Sequence, residues 1–257
     1  MFYKGYQNLK LFYQTTGDSK NPAILLIHGL GADHNMWEPQ IEPFVEAGFF
    51  VITPDMRSHG QSETRAFSIA ACARDLEVLL EELKIEKAHL VGVSMGGLIV
   101  QQMACDFSKR AHKIIICDSF SGITNFSERF NAQLAAILLA VLPNKLVTKI
   151  LVSTYQRMGQ DDVAAYFAGV LAEADVQNLR AVRKAVNDFN IMECLATVKQ
   201  PTLVLVGDKF GKMAVEMARK TALGIQGATF HILTGGGDPS NMLVPQEFNR
   251  QVLAFFA

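Results

Sequence analysis

Hydrophobic positions along this chain follow two alternating patterns, short apolar runs and longer segments with one apolar face. The short runs predict buried strands at 23–27, 49–53, 88–93, 113–117, 202–206 and 229–233. An alternating segment at 8–14 predicts an early hairpin strand, and helical spacing predicts helices at 68–83 and 245–256. Strands that alternate with helices favour an α/β protein with a mostly parallel central sheet flanked by helices.

This alternation stops between residues 121 and 190, where no strand pattern is found. The segment instead predicts amphipathic helices at 128–142, 145–158, 160–172 and 175–188. Strand patterns resume after it, so these helices form an insertion before the last two strands. We therefore predict a core made of residues 1–120 and 191–257, with a helical cap at 121–190.

Composition narrows the class of protein. The 257 residues carry a net charge of −1 with acidic and basic residues interspersed, which argues against nucleic-acid or anionic-membrane binding. The four cysteines are scattered without a C-x-x-C pair, so we expect reduced thiols, a cytoplasmic protein and no metal or other cofactor. The N-terminal residues lack a signal-peptide pattern, and the apolar stretch at 134–142 is too short to span a bilayer.

The clearest chemical signal is the pentapeptide GVSMG at residues 92–96. It follows a predicted strand and precedes a helix-like stretch, which is the context that a G-x-S-x-G nucleophile elbow requires. Its serine, Ser94, is the candidate nucleophile. A serine hydroxyl needs a base within hydrogen-bond reach and a group that orients that base.

Two further motifs stand in order before the elbow, HGLG at residues 28–31 and DMRSHGQS at 55–62. With these three motifs the chain resembles the α/β-hydrolase family, in particular its esterase- and lactonase-like serine hydrolases. The resemblance implies that Ser94 is the nucleophile. It also implies that the backbone N–H groups of Leu30 and Met95 form the oxyanion hole.

The chain departs from the family pattern at the two partners of the serine. The position of the family acid, in GDKF at 207–210, holds Phe210, and the position of the family histidine, in GGGDPSN at 235–241, holds Asp238. No other histidine has a suitable position in the sequence, so Asp238 is the candidate partner of Ser94. Asp118, at the end of a predicted strand, is a possible alternative acid. We expect Phe210 to lie beside Asp238 and to raise the pKa of that carboxyl.

These features predict an esterase-like protein acting on small apolar esters or acyl compounds, with hydrolysis impaired by the missing imidazole. Three alternatives stay open: a ligand-binding or sensing protein, a lyase or proton-transfer enzyme that uses Asp238, and an engineered or inactivated esterase. A small apolar cavity over Ser94 is expected from a few of the apolar cap residues: Phe126, Phe130, Leu134, Leu138, Leu142, Tyr155, Met158, Tyr166, Phe167, Val170 and Phe189.

Overall fold

In a computed structural model, which describes residues 1–123 and 144–257, the described strands form one eight-stranded sheet in the order β1-β2-β4-β3-β5-β6-β7-β8. The strands are β1 (Phe2–Lys4), β2 (Lys10–Thr16), β3 (Ala23–Ile27), β4 (Phe50–Pro54), β5 (Ala88–Val93), β6 (Ala111–Cys117), β7 (Thr202–Gly207) and β8 (Thr229–Leu233). β2 pairs antiparallel with β1 and β4, and all other neighbours pair parallel. The predicted α/β fold class is confirmed.

Helices cover both faces of this sheet. The described helices are α1 (Glu38–Glu46), α2 (Ile69–Glu82), α3 (Met95–Asp106), α4 (Asn144–Arg157), α5 (Asp161–Glu173), α6 (Val176–Asn187), α7 (Met192–Leu195), α8 (Lys212–Gly224), α9 (Ser240–Leu243) and α10 (Pro245–Phe256). Leu25 and Ile27 pack with α2, α3 and α8, whereas Ile24 and Leu26 pack with α1 and α10. Because both faces are covered, the central strands are apolar at every position.

Most predicted elements are found within a few residues of their expected bounds, and Ser68 caps α2 by accepting a hydrogen bond from the Ala71 N–H. The sequence did not predict β1, α1, α8 or the four-residue helices α7 and α9. β1 has three residues, too few to show alternation, and Pro43 inside α1 interrupts its helical pattern. The helix predicted at 128–142 lies outside the described residues.

Four described helices, α4 to α7, lie between β6 and β7, and the first three of them lie within the range predicted for the cap. An isolated antiparallel bridge between Gly122 and Asn190 joins the two ends of this insertion. The Tyr166 hydroxyl accepts a 2.9 Å hydrogen bond from the Asp33 N–H, in the loop that follows β3. This part of the insertion therefore contacts the carboxyl edge of the sheet. The exact cap boundaries, 121 and 190, stay a prediction.

The cysteines correct one expectation. Cys105 near the end of α3 and Cys194 in α7 form a disulfide with Cα atoms 6.2 Å apart, while Cys72 and Cys117 are free and buried. The prediction of reduced thiols is wrong for the first pair. The two partners are separated by 89 residues, so only the folded arrangement of α3 against α7 brings them together. In the described part of the chain, no helix is long and apolar enough to cross a membrane.

Two glycines allow the close approach that builds the turn at Ser94. A Cβ atom on Gly96 would lie 2.0 Å from the Ile27 carbonyl oxygen, and one on Gly92 would lie 2.2 Å from the Gly96 carbonyl oxygen. Neither contact can be relieved by moving a side chain, because the neighbours are backbone. The start of α3 is therefore held directly against the end of β3.

We expect Gly96→Ala to destabilise the fold by about 3 kcal/mol or more, because the added methyl group forces two backbone segments apart. Gly169→Ala in α5 is the matched control, since a Cβ there meets nothing within 4 Å. Because glycine is a poor helix former, that control should be neutral or stabilising by up to about 1 kcal/mol. Urea unfolding of both variants measures the difference, and equal effects would contradict this account of the turn.

Candidate active site

Ser94 is held in a strained turn between β5 and α3. Its φ of 55° lies in the left-handed region, which is uncommon for a residue with a side chain. Its N–H donates to the Cys117 carbonyl oxygen at 2.9 Å, and its carbonyl oxygen accepts from the Ser119 hydroxyl at 2.8 Å. These bonds fix the backbone and point the half-buried Ser94 hydroxyl away from the sheet edge.

Asp238 is the hydrogen-bond partner of that hydroxyl. The Ser94 Oγ donates to Asp238 Oδ2 at 2.8 Å, although 144 residues separate the two in sequence. Asp238 lies in the loop after β8, and the Tyr155 hydroxyl of α4 donates to its carbonyl oxygen at 2.8 Å. The two predicted catalytic residues, Ser94 and Asp238, are thus in direct contact. Asp238 is also hydrogen-bonded to α4.

Asp118 holds the loop that contains Asp238 in place through hydrogen bonds. Its carboxylate accepts hydrogen bonds from the Gly207 N–H at 2.9 Å, the Ser240 N–H at 2.7 Å and the Ser240 hydroxyl at 3.0 Å. The Cys117 thiol donates to the same carboxylate at 3.4 Å. Ser240 is two residues beyond Asp238, so Asp118 positions the loop through its backbone. Its role as an alternative acid stays a prediction.

The two carboxyl groups influence each other's ionisation. Burial raises the pKa of Asp118 to about 6, although the hydrogen bonds from Gly207 and Ser240 act in the opposite direction. Burial also raises the pKa of Asp238 to about 7, and the neighbouring charge of Asp118 adds to this effect. A neighbouring like charge disfavours ionisation, so Asp118 helps to keep Asp238 protonated up to a higher pH than an ordinary aspartate.

Phe210 is partly exposed. It ends a short 3-10 helix after β7, and 40 % of the residue is exposed to solvent. Its expected place beside Asp238 stays a prediction. The pKa of Asp238 is raised by burial of the carboxyl and by the neighbouring charge of Asp118.

The histidines have other contacts. His28, in the loop beside Ser94, donates from Nδ1 to the Gly29 carbonyl oxygen at 2.7 Å and accepts at Nε2 from the Met56 N–H at 3.0 Å. Both of its ring nitrogens are therefore occupied. The remaining rings contact Asp55, Arg57, Glu247 or one another: His34, His59, His231, and the pair His89 and His112.

Of the two predicted oxyanion-hole residues, Met95 follows the serine in the chain and Leu30 follows Gly29, which lies beside it. A Cβ on Gly29 would be 4.0 Å from Ser94 Oγ, so the loop leading to Leu30 runs beside the hydroxyl. Met95 is the first residue of α3. The first N–H groups of a helix have no partner within the helix and are available to an oxyanion.

The cap residues expected to line a cavity have several different surroundings. Tyr155 and Phe167 stack on each other with ring centroids 5.3 Å apart, and Met158 is 41 % exposed. Phe189 belongs to the core cluster with α2 and α3. The predicted lining residues of the first cap helix lie outside the described residues: Phe126, Phe130, Leu134, Leu138 and Leu142.

A cleft of about 340 Å³ lies beside this site, between the loop after β3, the turn around residues 58–64 and the cap helices α5 and α6. Val170 lines it, but Ser94 and Asp238 do not. Within the described ranges, no group of three or more His, Cys, Asp or Glu side chains is arranged to hold a metal ion.

Sequence reasoning missed Arg183 of α6, whose charge acts on Asp238. Its signal was present, since Arg183 stands between Val182 and Val186 on the buried side of an amphipathic helix. A charged residue on an apolar face is uncommon without a partner. Ser240 was missed as well, because its contact with Asp118 spans 122 residues.

The chain belongs to the family described as the alpha/beta hydrolase fold, whose sequence model matches residues 22–191. It is 31 % identical over 262 residues to a protein of Variovorax paradoxus (strain S110) named "Putative carbamate hydrolase RutD", covering 97 % of each. It is 29 % identical to 3-oxoadipate enol-lactonase 1 of Acinetobacter baylyi, covering 78 % of this chain and 76 % of that protein.

Solved structures agree on the fold. The enol-lactonase from Burkholderia xenovorans LB400 superposes with a TM-score of 0.87 at 23 % identity, covering 100 % of this chain and 99 % of that one. A hydrolase from Pseudomonas aeruginosa PA01 gives a TM-score of 0.88 at 22 % identity, with 100 % and 98 % coverage. At these identities the likeness shows the fold alone.

Proposed function

We propose that this protein is a serine-dependent hydrolase of small, largely apolar esters or lactones, in which Asp238 is the base for Ser94. The observation that carries the proposal is the 2.8 Å hydrogen bond from Ser94 Oγ to a mostly buried carboxylate. Membership of the α/β-hydrolase family, with an enol-lactonase among its relatives, supports the substrate class.

The shifted pKa of Asp238 decides whether a carboxylate is basic enough for this task. An ordinary aspartate is roughly 2–3 units less basic than imidazole, which would make it a poor base for a serine hydroxyl. With its pKa raised to about 7, Asp238 reaches the basicity of a histidine. In this proposal the missing imidazole does not by itself impair hydrolysis. The impaired hydrolysis expected from the sequence stays a prediction.

The proposed reaction has two acyl-transfer steps. Ser94 Oγ attacks the carbonyl carbon while its proton passes to Asp238, and the N–H groups of Leu30 and Met95 stabilise the oxyanion. The protonated Asp238 then returns the proton to the leaving alcohol, which gives an acyl-enzyme. A water molecule next gives its proton to Asp238 and attacks the acyl carbon. As the bond to Ser94 Oγ breaks, Asp238 passes that proton to the serine oxygen, which releases the acid and restores both residues.

A pH–rate profile with p-nitrophenyl butyrate tests this mechanism. Because the base must be ionised, kcat/KM should rise with pH and level off above the Asp238 pKa of about 7. Ser94→Ala should lower kcat/KM by roughly 100-fold or more, whereas Ser153→Ala, which removes an exposed hydroxyl of α4 bonded to Lys149, should not. Turnover that is equal in the wild type and Ser94→Ala would overturn the proposal, and hydrolysis by both at the uncatalysed rate would favour a ligand-binding protein.

A second function, proton-transfer or lyase chemistry at Asp238, is favoured by one feature. A carboxyl with a pKa of about 7 is present in both protonated and ionised forms near neutrality, so it can act as an acid as well as a base. Mass spectrometry of the quenched reaction distinguishes the two functions. An acyl group on Ser94 supports hydrolysis, and turnover without one supports the second function.

The cytoplasmic location expected from the sequence stays a prediction. The disulfide between Cys105 and Cys194 weighs against it, because structural disulfides are rare in reducing compartments.

A further inference from the structure

Arg183 is a guanidinium without a partner beside the candidate active site. It lies on α6 between the buried residues Val182 and Val186, and its Nε is buried without a hydrogen-bond partner. Among the described residues, it makes neither a hydrogen bond nor an ion pair. A buried ionised group that lacks both is costly, so this arrangement calls for a ligand that supplies the missing acceptor.

The position of α6 places this charge near the reacting groups. Leu179, one helical turn before Arg183, would lie 4.0 Å from a Cβ on Gly31, in the loop that follows Leu30. Across the site, the charge of Arg183 acts on the carboxyl of Asp238. α6 therefore covers the loop that follows Leu30, and the Arg183 side chain lies close enough to Asp238 for the two charges to interact.

Neither carboxyl of the site satisfies Arg183. Asp118 already accepts four hydrogen bonds, from the N–H groups of Gly207 and Ser240, the Ser240 hydroxyl and the Cys117 thiol. Asp238 acts on Arg183 through its charge without an ion-pair contact, and its Oδ2 is occupied by Ser94. The guanidinium thus keeps its planar set of donors free for a ligand, and that set matches a carboxylate in a two-point contact.

We propose that Arg183 binds a carboxylate carried by the substrate itself, so that the substrates are small esters or lactones with a free acid group at the end remote from the reacting carbonyl. This inference rests on the proposed hydrolase function and narrows its substrate class. The middle of such a molecule is apolar, in keeping with the cap side chains. Its acid end would give Arg183 the acceptor that the protein lacks.

Two esters of similar size test the proposal, p-nitrophenyl hemisuccinate with a free carboxylate and p-nitrophenyl butyrate without one. Because a hydrogen bond to a charged group stabilises the bound substrate, Arg183→Gln should lower kcat/KM for the hemisuccinate by about 10- to 100-fold more than kcat/KM for the butyrate. A change common to both esters reports the loss of the Arg183 charge near Asp238. Arg183→Lys should keep part of the preference. An equal change for both esters would overturn the proposal.

Arg180→Gln is the matched control. Arg180 lies one turn earlier on α6, and its Nε is likewise buried without a partner, but Asp118 and Arg183 are the charged groups that act on Asp238. This variant should leave the ratio of the two kcat/KM values unchanged. If Arg180→Gln removes the preference and Arg183→Gln does not, the assignment to Arg183 is wrong.

A binding measurement separates this proposal from the hydrolase function. In the Ser94→Ala background, calorimetry with monomethyl glutarate and dimethyl glutarate compares an acid-bearing ligand with its neutral analogue. Tighter binding of the monoester that is lost on Arg183→Gln supports the carboxylate site even if no ester is turned over. Equal binding of both ligands contradicts the site even if hydrolysis is observed.

Discussion

Replacing Asp238 with asparagine is expected to lower kcat/KM for p-nitrophenyl butyrate by roughly 100-fold or more, because a positioned general base contributes about 10²- to 10⁴-fold. The amide has nearly the shape of the carboxylate, and its oxygen can still accept the hydrogen bond from Ser94. The variant therefore removes the proton acceptor while it keeps the contact. Undiminished ester turnover in Asp238→Asn would show that another group takes the proton.

The same substitution should raise stability in alkaline solution. The pKa of Asp238 is about 7 in the folded protein and 3.8 in the reference state, so the unfolded chain ionises this group first. Its contribution to the free energy of unfolding is therefore largest below about pH 4 and falls as the pH rises towards about 7. Asparagine does not titrate, and it escapes this loss.

We expect Asp238→Asn to be roughly 2 kcal/mol more stable than the wild type at pH 8 and close to it at pH 4. This value is below the full equivalent of the pKa difference, because the side chain keeps some contact with water. Urea unfolding of the wild type and of Asp238→Asn at pH 4 and pH 8 measures this difference in the free energy of unfolding. For each protein, the value at pH 4 is the control for the value at pH 8. A stability difference that is the same at both pH values would mean that the folded-state pKa is not raised.

The fold was predictable because its signals are local. Continuous apolar runs such as 23–27 mark strands covered on both faces, and the glycines around Ser94 mark a turn that leaves no room for a Cβ. The same reasoning identified Ser94 and Asp238, since both stand in motifs that adjoin a predicted strand. Only the contact between them, across 144 residues, required the structure.

Other features of the candidate site depend on distances between residues that are far apart in the sequence. Phe210 occupies the expected place in its motif, yet the turn after β7 leaves it 40 % exposed. Asp118 was identified as a carboxylate near the site, but its bonds to Ser240 and Gly207 arise only when three loops meet. The relation of Arg183 to the site depends on the packing of α6 over the loop that follows Leu30. The charge balance of a site is set by such long-range neighbours.

The double replacement Phe210→Asp with Asp238→His distinguishes an incomplete catalytic triad from a site in which Asp238 itself is the base. It returns to both positions the residue types typical of the family. If Ser94 lacks only an imidazole and its acid, kcat/KM for p-nitrophenyl butyrate should rise by roughly 100-fold or more.

The geometry leads us to expect the opposite, a decrease of roughly 10- to 100-fold. Asp238 Oδ2 already lies 2.8 Å from Ser94 Oγ, so a longer imidazole must turn away from this contact or displace the loop. An aspartate in the exposed place of Phe210 would be too well solvated to orient that ring, and Asp118 is committed to the loop backbone. Kinetics of the double variant beside Asp238→His and Phe210→Asp measures this. Rapid hydrolysis by the double variant would show that the wild-type site is an incomplete triad, and a decrease would show that the carboxylate and the serine form a matched pair.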